Sequence, residues 1–125
     1  MGKGAAALQA IARQPHLGTA QLVEFLDETV VAEVDSLPND VRSSLARIIA
    51  RIQAVGLEHA GEPHVRHLEG KLWEMRPHRR DVIGRALYVT AIGRRIVIVL
   101  AFVKKTGKTP RRIIDLALAR ARLVR

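Results

Sequence analysis

Cysteine is absent from this chain of 125 residues. Disulfide bridges and thiolate zinc sites are therefore excluded, and we expect a cytoplasmic protein. Long apolar runs are also missing: the longest, Ile96–Val103, has eight residues, whereas a membrane-spanning helix needs ~18. The opening MGKGAAALQAIARQ does not follow a signal-peptide pattern, because Arg13 interrupts its alanine-rich stretch. Secretion and membrane insertion are accordingly not expected.

Aromatic residues make up only 3% of the chain, so its core must be built from aliphatic side chains. Hydrophobic residues reach 48%, which is enough for one globular domain of this length. Glycine and proline are frequent near the start, where Gly2, Gly4, Pro15 and Gly18 flank a short alanine-rich stretch. We predict that residues 1–19 are a flexible N-terminal extension and that residues 20–125 form a single domain.

Acidic residues are scarce in the second half of the chain, and none lies between Asp81 and Asp115. Residues 1–60 hold five Lys/Arg and seven Asp/Glu, whereas residues 61–125 hold sixteen and five. The formal charge of the whole chain is +9. Clustered cations indicate a polyanionic partner, with nucleic acid ahead of an anionic membrane surface. The alternative is a merely basic, solvated surface.

The first half of the chain predicts one short strand and two helices. QLVEF (Gln21–Phe25) is the strand candidate, and Asp27 is placed to cap a helix over ETVVAEVDSL. Pro38 opens a longer helix, since proline is tolerated at a first helical position, and Gly56 ends it. One apolar stripe runs along this longer helix: Val41, Leu45, Ile48, Ile49, Ile52 and Val55.

The second half predicts consecutive strands and a final helix. VRHLEG and KLWEMR come first, followed by RALYVTA, the turn IGRR, and IVIVLAFV, which is apolar at every position. Such a run is typical of a central strand covered on both faces. Thr109 is placed to cap the final helix, with Pro110 at its first position. Because the strands are consecutive, we predict an α+β fold, a small antiparallel sheet backed by two N-terminal helices, with a C-terminal helix.

Motifs for metal, hydrolase and nucleotide chemistry find little support. His64 and His67 lie three residues apart, which in a strand puts their imidazoles on opposite faces, so we expect no metal and no cofactor. The nucleophile turn G-x-S-x-G does not occur. Gly107–Thr109 does not complete a phosphate-binding loop, because Phe102 stands where that motif needs its upstream glycine.

What remains is a basic face built from lysines and arginines near the strand ends. Arginine forks and lysine point charges could bind a phosphate backbone. Tyr88 and Trp73 could stack on bases; for Trp73 we favour a core position under the helices, and for Tyr88 both positions stay open. A lysine crowded by cations has a lowered pKa and can transfer protons, so such a face could bind RNA or cleave it. The predicted RNA-contacting residues are Lys71, Arg79, Arg80, Tyr88, Lys108, Arg111 and Arg112.

Several stretches resemble one known family. The strand pair HLEGKLWEMR, the strand RALYVTA and the block VIVLAFVKKTGKTPRRIIDLALAR occur in the order and spacing of HigB-like toxins. These toxins form a branch of the RelE/ParE superfamily, often labelled phage-derived toxin-like proteins. FLDETVVAEVDSLPNDVRSSLARII is similar to the opening strand and helix pair of that family. The resemblance covers residues 21–122.

The resemblance implies a RelE-like fold and the toxin of a type II toxin–antitoxin pair, which cleaves mRNA in the ribosomal A site without metal. It implies Arg76 at the scissile phosphate, with Arg85, Lys104 and Lys105 as further catalytic residues. The implied partner is a HigA-like helix-turn-helix antitoxin, through which alone operator DNA is bound. Some members use a histidine or a C-terminal tyrosine, which the ending RARLVR does not have, so the general base stays open. A ParE-like gyrase poison and a non-catalytic RNA- or ribosome-binding module are the alternatives.

Overall fold

The computed structural model describes residues 21–61, 64–77, 83–104 and 107–125. The strands are β1 (Leu22–Phe25), β2 (Val65–Glu69), β3 (Leu72–Met75), β4 (Ile83–Ala91) and β5 (Arg95–Lys104). The helices within these ranges are α1 (Glu28–Asp35), α2 (Asn39–Val55), α3 (Leu57–Ala60) and α4 (Arg111–Ala121). The predicted α+β class is confirmed. The short α3 was not predicted, because a single helical turn shows no periodicity in the sequence.

The five strands form one sheet in the order β1-β5-β4-β3-β2. Strands β2 to β5 pair antiparallel with one another, as predicted. Strand β1 instead pairs parallel with β5, with Val23 opposite Ile96, so the sheet is mixed. No hairpin turn joins these two strands. Their relative direction therefore depends on how the helices between them in the chain pack.

Strand β5 lies inside the sheet, between β1 and β4, and its residues from Ile96 to Ala101 are buried. This confirms the central strand predicted from its continuous apolar run. Its side chains pack in two separate hydrophobic cores. Ile98 joins the core under α1 and α2, whereas Val97 and Val99 join the core under α4.

Helix α2 packs the predicted apolar stripe against one face of the sheet. Its buried residues are Val41, Ser44, Leu45, Ile48, Ile49, Ile52 and Gln53. Val55 was predicted in the stripe but is 40% exposed, because the helix ends there at Gly56. Helix and sheet approach closely at Gly84 of β4, where a Cβ atom would lie 2.4 Å from Cγ1 of Val41. This contact fixes the start of β4, which carries Arg85 in the next position.

One predicted helix cap is confirmed, and one helix start is shifted by a residue. Asp27 caps α1 as predicted, since its Oδ1 accepts a hydrogen bond from the N–H of Val30 at 3.0 Å. Helix α4 starts later than predicted: Pro110 is its N-cap, Arg111 is its first residue, and Thr109 precedes it. Within the described ranges, no helix is long and apolar enough to cross a membrane.

Candidate functional site

Four basic side chains meet on one face of the sheet, where strands β2 to β5 lie side by side. Arg66 of β2 pairs with Glu74 of β3, and Arg85 of β4 pairs with Phe102 of β5, which packs in the core under α4. Paired residues, and residues two apart in one strand, share a face of the sheet. The set therefore projects from the face that α4 covers in part. We call it the cation cluster: Arg66, Arg76, Arg85 and Lys104.

A buried carboxylate lies among these cations. Glu74 is 5% exposed; its Oε1 lies 3.5 Å from Nε of Arg76 and its Oε2 lies 3.7 Å from Nε of Arg85. Arg85 is itself 9% exposed, and its Nη1 donates to the carbonyl oxygen of Gly84 at 2.7 Å. The backbone N–H of Arg76 donates to the carbonyl oxygen of His64 at 2.8 Å. The two guanidinium groups are thus held against the same carboxylate.

Lys104 completes the cluster at the end of β5, where its Nζ donates to the carbonyl oxygen of Gly107 at 2.8 Å. Partial burial lowers the pKa of Lys104, and the nearby charge of Arg85 lowers it further. Glu74 opposes this shift, and the other two arginines of the cluster add to it. Burial lowers the pKa of Arg85 as well, against the opposing charge of Glu74. An anion bound at the cluster would relieve this repulsion between cations.

Three polar atoms of the cluster are buried without a hydrogen-bond partner among the described residues. They are Oε2 of Glu74, Nε of Arg76 and Nε of Arg85. Buried polar atoms are nearly always satisfied in folded proteins, so three in one place are suited to accepting water or a polar ligand. Guanidinium groups can donate pairs of hydrogen bonds to phosphate oxygens, and an ammonium group adds a point charge. The arrangement is therefore suited to holding a phosphate group.

The cluster lies inside the part of the chain that a family model matches. That model describes the Phage derived protein Gp49-like (DUF891) family, and it matches residues 32–122. The chain belongs to the Gp49-like family. This is a family of RelE/HigB-like toxins, which makes the chain a phage-derived, toxin-like protein. No curated protein matches it.

The structure of this Gp49-like chain brings part of the predicted site together. Arg76, Arg85 and Lys104 meet in the cation cluster. Lys71 is exposed in the turn between β2 and β3, about 16 Å along the strand from Arg76. Lys108 and Arg112 are exposed beside the start of α4. Three further predicted residues, Arg79, Arg80 and Lys105, lie outside the described residues.

Arg111 was predicted to contact RNA, and its charge is balanced within the fold. Its two terminal nitrogens donate to the two carboxylate oxygens of Glu69, each at 2.7 Å, and its Nε donates to Asp115 at 2.9 Å. These hydrogen bonds raise the pKa of Arg111. The bidentate pair ties the first turn of α4 to the end of β2, so Arg111 has a structural contact whether or not RNA binds.

The two candidate stacking aromatics lie in different environments. Tyr88 is 0% exposed in the core under α2, and burial raises its pKa, so it is not placed to stack on a base. The alternative of a core position is correct for this residue. Trp73 was expected in the core but is 36% exposed. Its ring meets that of His67 edge to face, with 5.0 Å between centroids.

Trp73 and His67 border an open pocket of about 660 Å³ beside the edge strand β2. Arg66 also lines this pocket, so the pocket and the cation cluster have this residue in common. The described residues contain no group of three or more His, Asp or Glu that could hold a metal ion. His64 and His67 thus do not form part of such a group.

The prediction from sequence missed two members of the site, Arg66 and Glu74. Their signal lies in the hairpin pattern, since a turn at Gly70 puts Arg66 of VRHLE opposite Glu74 of LWEM. Gly70 has φ of +57°, a value that favours glycine and marks the turn. That register places Glu74 opposite Arg66 of β2, and its carboxylate also faces Arg85 of β4.

Proposed function

We propose that this protein is the toxin of a type II toxin–antitoxin pair and cleaves mRNA on the ribosome. The observation that carries the proposal is the cation cluster, in which Arg76 and Arg85 face the carboxylate of Glu74 and further cations lie close enough to lower the pKa of Arg85 and Lys104. Membership of a toxin-like family supports the same conclusion. In this proposal residues 20–125 form the toxin domain, which acts in the cytoplasm and belongs to the HigB-like branch.

Cleavage of RNA by its own 2′-hydroxyl makes three demands on a site. O2′ loses its proton and attacks the adjacent phosphorus, the pentavalent phosphate gains negative charge, and the bond from phosphorus to O5′ breaks as O5′ takes up a proton. The products are a 2′,3′-cyclic phosphate and a 5′-hydroxyl. Arg76 and Arg85 supply preorganised donors to the phosphate in a partly buried site, where such donors act most strongly.

Lys104 is the group suited to the proton transfer. Its pKa is lowered by burial and by Arg85, which brings it closer to the pH of the cell than that of an ordinary lysine. In its protonated form it adds a positive charge to the cluster and can protonate the leaving O5′. Its backbone position at the end of the interior strand β5 holds it near Arg85.

The proposed partners follow from the basic face. The substrate is mRNA in the ribosomal A site, where the phosphate backbone supplies the anion that the cluster would bind. A HigA-like antitoxin neutralises the toxin and carries the contacts to operator DNA. The toxin itself then needs no DNA-binding surface of its own.

The test is induction of the chain in bacteria, with and without the neighbouring antitoxin gene, followed by mapping of mRNA ends. We expect growth arrest and cuts within translated codons. Arg76→Ala should weaken cutting by about 100-fold or more, with an unchanged melting temperature. Arg47→Ala is the matched control, because it removes the same charge from an exposed position on α2.

Two outcomes would replace the proposal. Growth arrest with intact mRNA and DNA breaks would indicate a gyrase poison. Binding to RNA or to ribosomes without any cut on translated messages would indicate a non-catalytic module.

A further inference from the structure

Glu74 occupies a position where the packing favours an apolar side chain. It lies on the α4 side of β3, two residues from Leu72 and opposite Leu87 of β4, and both leucines are 0% exposed. A buried carboxylate costs free energy unless excellent contacts compensate it. Methionine or leucine would fill the same place without that cost.

The contacts of Glu74 are not good enough to explain its presence by stability. Its ion pairs to Arg76 and Arg85 are 3.5 and 3.7 Å long, beyond a normal hydrogen bond. Its Oε2 has no hydrogen-bond partner among the described residues, and neither has Nε of Arg76 or Nε of Arg85. By contrast, the Arg111–Glu69 pair in the same fold has two hydrogen bonds of 2.7 Å.

We propose that Glu74 is a positioning residue, which holds Arg76 and Arg85 side by side for the phosphate while limiting the positive charge of the cluster. The part of this inference that concerns rate rests on the proposed RNA cleavage. The carboxylate keeps two mutually repelling guanidinium groups together before the substrate arrives. Its loose contacts leave both groups able to turn their donors toward a phosphate.

This role predicts that removing the charge of Glu74 changes RNA binding and RNA cleavage in opposite directions. Removing the charge of Glu74 adds one net positive charge to the cluster, which favours any polyanion. The same change frees Arg76 and Arg85 to separate, and misplaced catalytic groups slow the chemical step. A residue that only stabilised the fold would weaken binding and cleavage together.

The experiment compares Glu74→Gln and Glu74→Met with Glu24→Gln. The last variant makes the same charge change at a carboxylate that pairs with Arg95 at the opposite end of β5. RNA affinity is measured by anisotropy with a labelled single-stranded oligonucleotide whose 2′-hydroxyls are methylated, so that it cannot be cut. Cleavage is measured in a translating extract, and folding by the melting temperature.

For Glu74→Gln we expect RNA binding at least as tight as in the wild type, with a steeper salt dependence. Cleavage should be about 10- to 100-fold slower, while Glu24→Gln cleaves like the wild type. Glu74→Met should melt at the same or a higher temperature and cleave as poorly as Glu74→Gln. Wild-type cleavage by Glu74→Gln, or a joint loss of melting temperature, binding and cleavage in both variants, would overturn the positioning role.

A readout that needs no RNA keeps this inference separate from the proposed function. Nitrogen-15 spectra follow exchange of the Nε–H protons of Arg76 and Arg85 with solvent. We expect slow exchange in the wild type and in Glu24→Gln, and faster exchange in both Glu74 variants. Unchanged exchange would refute the positioning role, whereas a wild type that never cuts RNA, with the exchange pattern as expected, would refute only the cleavage proposal.

Discussion

Two groups of cations in this protein differ in how carboxylates compensate their positive charge. In the first group, each arginine binds a carboxylate from a distant part of the chain at hydrogen-bonding distance. These pairs are Arg95 with Glu24 at 3.0 Å, Arg111 with Glu69 at 2.7 Å, and Arg120 with Glu33 at 2.8 Å. In the second group, the cation cluster, Glu74 is the carboxylate that Arg76 and Arg85 both face, at longer distances.

The pKa values reflect this difference. Hydrogen bonds to carboxylates raise the pKa of all three arginines of the first group. In the cation cluster, burial and neighbouring cations lower the pKa of Arg85 and of Lys104. The fold thus stabilises the charge of the first group and destabilises that of the second, which is a property of functional sites more than of structural ones.

The location of the acids is therefore more informative than the number of bases. Residues 61–125 have sixteen Lys/Arg, but several of them are structural. Acids from β1, α1 and β2 neutralise arginines on β5 and α4. The candidate site is where several cations instead gather around one buried carboxylate, Glu74.

The largest expected effect is the loss of cleavage when an arginine of the cation cluster is removed, compared with removal of an arginine of the first group. Arg85→Ala removes a guanidinium group that faces the phosphate, and we expect mRNA cleavage to fall by about 100- to 1,000-fold. Arg95→Ala, in the neighbouring strand but in the first group, should leave the cleavage rate unchanged. The measurement is single-turnover cleavage of a translated message, with the melting temperature of each variant.

Arg85→Lys separates the role of the guanidinium group from the loss of a buried positive charge, because lysine keeps the charge and lacks the planar fork. It should remain folded and cleave slowly. If Arg95→Ala slowed cleavage as much as Arg85→Ala, the division into two groups would have no functional meaning.

Lys104 should give the site its dependence on pH. A lysine with a lowered pKa loses its proton at a lower pH, so cleavage should decline on the alkaline side with a midpoint below 10.5, the ordinary value. The groups that face it are Arg85, Glu74, Arg76 and Arg66, of which only the carboxylate opposes the shift. Lys104→Arg should cleave more slowly but without this alkaline decline, in a series of rate measurements at increasing pH. A decline that persisted in Lys104→Arg would assign it to another group.

Within the first group, Glu33 should have a measurable effect on stability. Its Oε1 accepts hydrogen bonds from the backbone N–H of Ala101 at 3.1 Å and from Nη1 of Arg120 at 2.9 Å. That Nη1 also donates to the carbonyl oxygen of Val99, so the network joins α1, α4 and β5. Glu33→Ala should lower the free energy of unfolding by about 2 kcal/mol, measured by urea denaturation. Glu24→Gln, at a more exposed pair, should have a smaller effect, and the reverse order would contradict this assignment.

The sequence predicts those parts of the fold that depend on local pattern. The stripe of α2 and the continuous apolar run of β5 identify a buried helix and an interior strand, because burial of one face or of both leaves a periodic trace. Asp27 is recognisable as a cap for the same reason: its partner, Val30, is three residues away. The direction of β1 has no such trace, since its partner strand starts about seventy residues later.

The two cation groups could not be separated from the sequence. Arg111 and Glu69 are 42 residues apart, and Arg95 and Glu24 are 71 apart, so their pairing depends on the tertiary fold. Arg111 and Arg85 have the same chemistry in the sequence and different partners in the structure. The sequence places Arg76 and Lys104 near strand ends, and antiparallel neighbours bring the end of one strand beside the start of the next, so the fold brings both residues to the same end of the sheet.

The smallest expected effect concerns the contrast in burial between two aromatic residues, the single tyrosine and the single tryptophan of the protein. Burial disfavours the phenolate and raises the pKa of Tyr88. The folded protein should therefore show no tyrosinate absorbance near pH 10, where a free tyrosine ionises, and the absorbance should appear once denaturant is added. The fluorescence of Trp73, which is 36% exposed, should be quenched by acrylamide in the folded state.

Tyr88→Phe should melt at the same or a higher temperature, because the hydroxyl has no hydrogen-bond partner among the described residues. Ionisation of Tyr88 near pH 10 in the folded protein would instead place this ring at the surface, where it could stack on RNA.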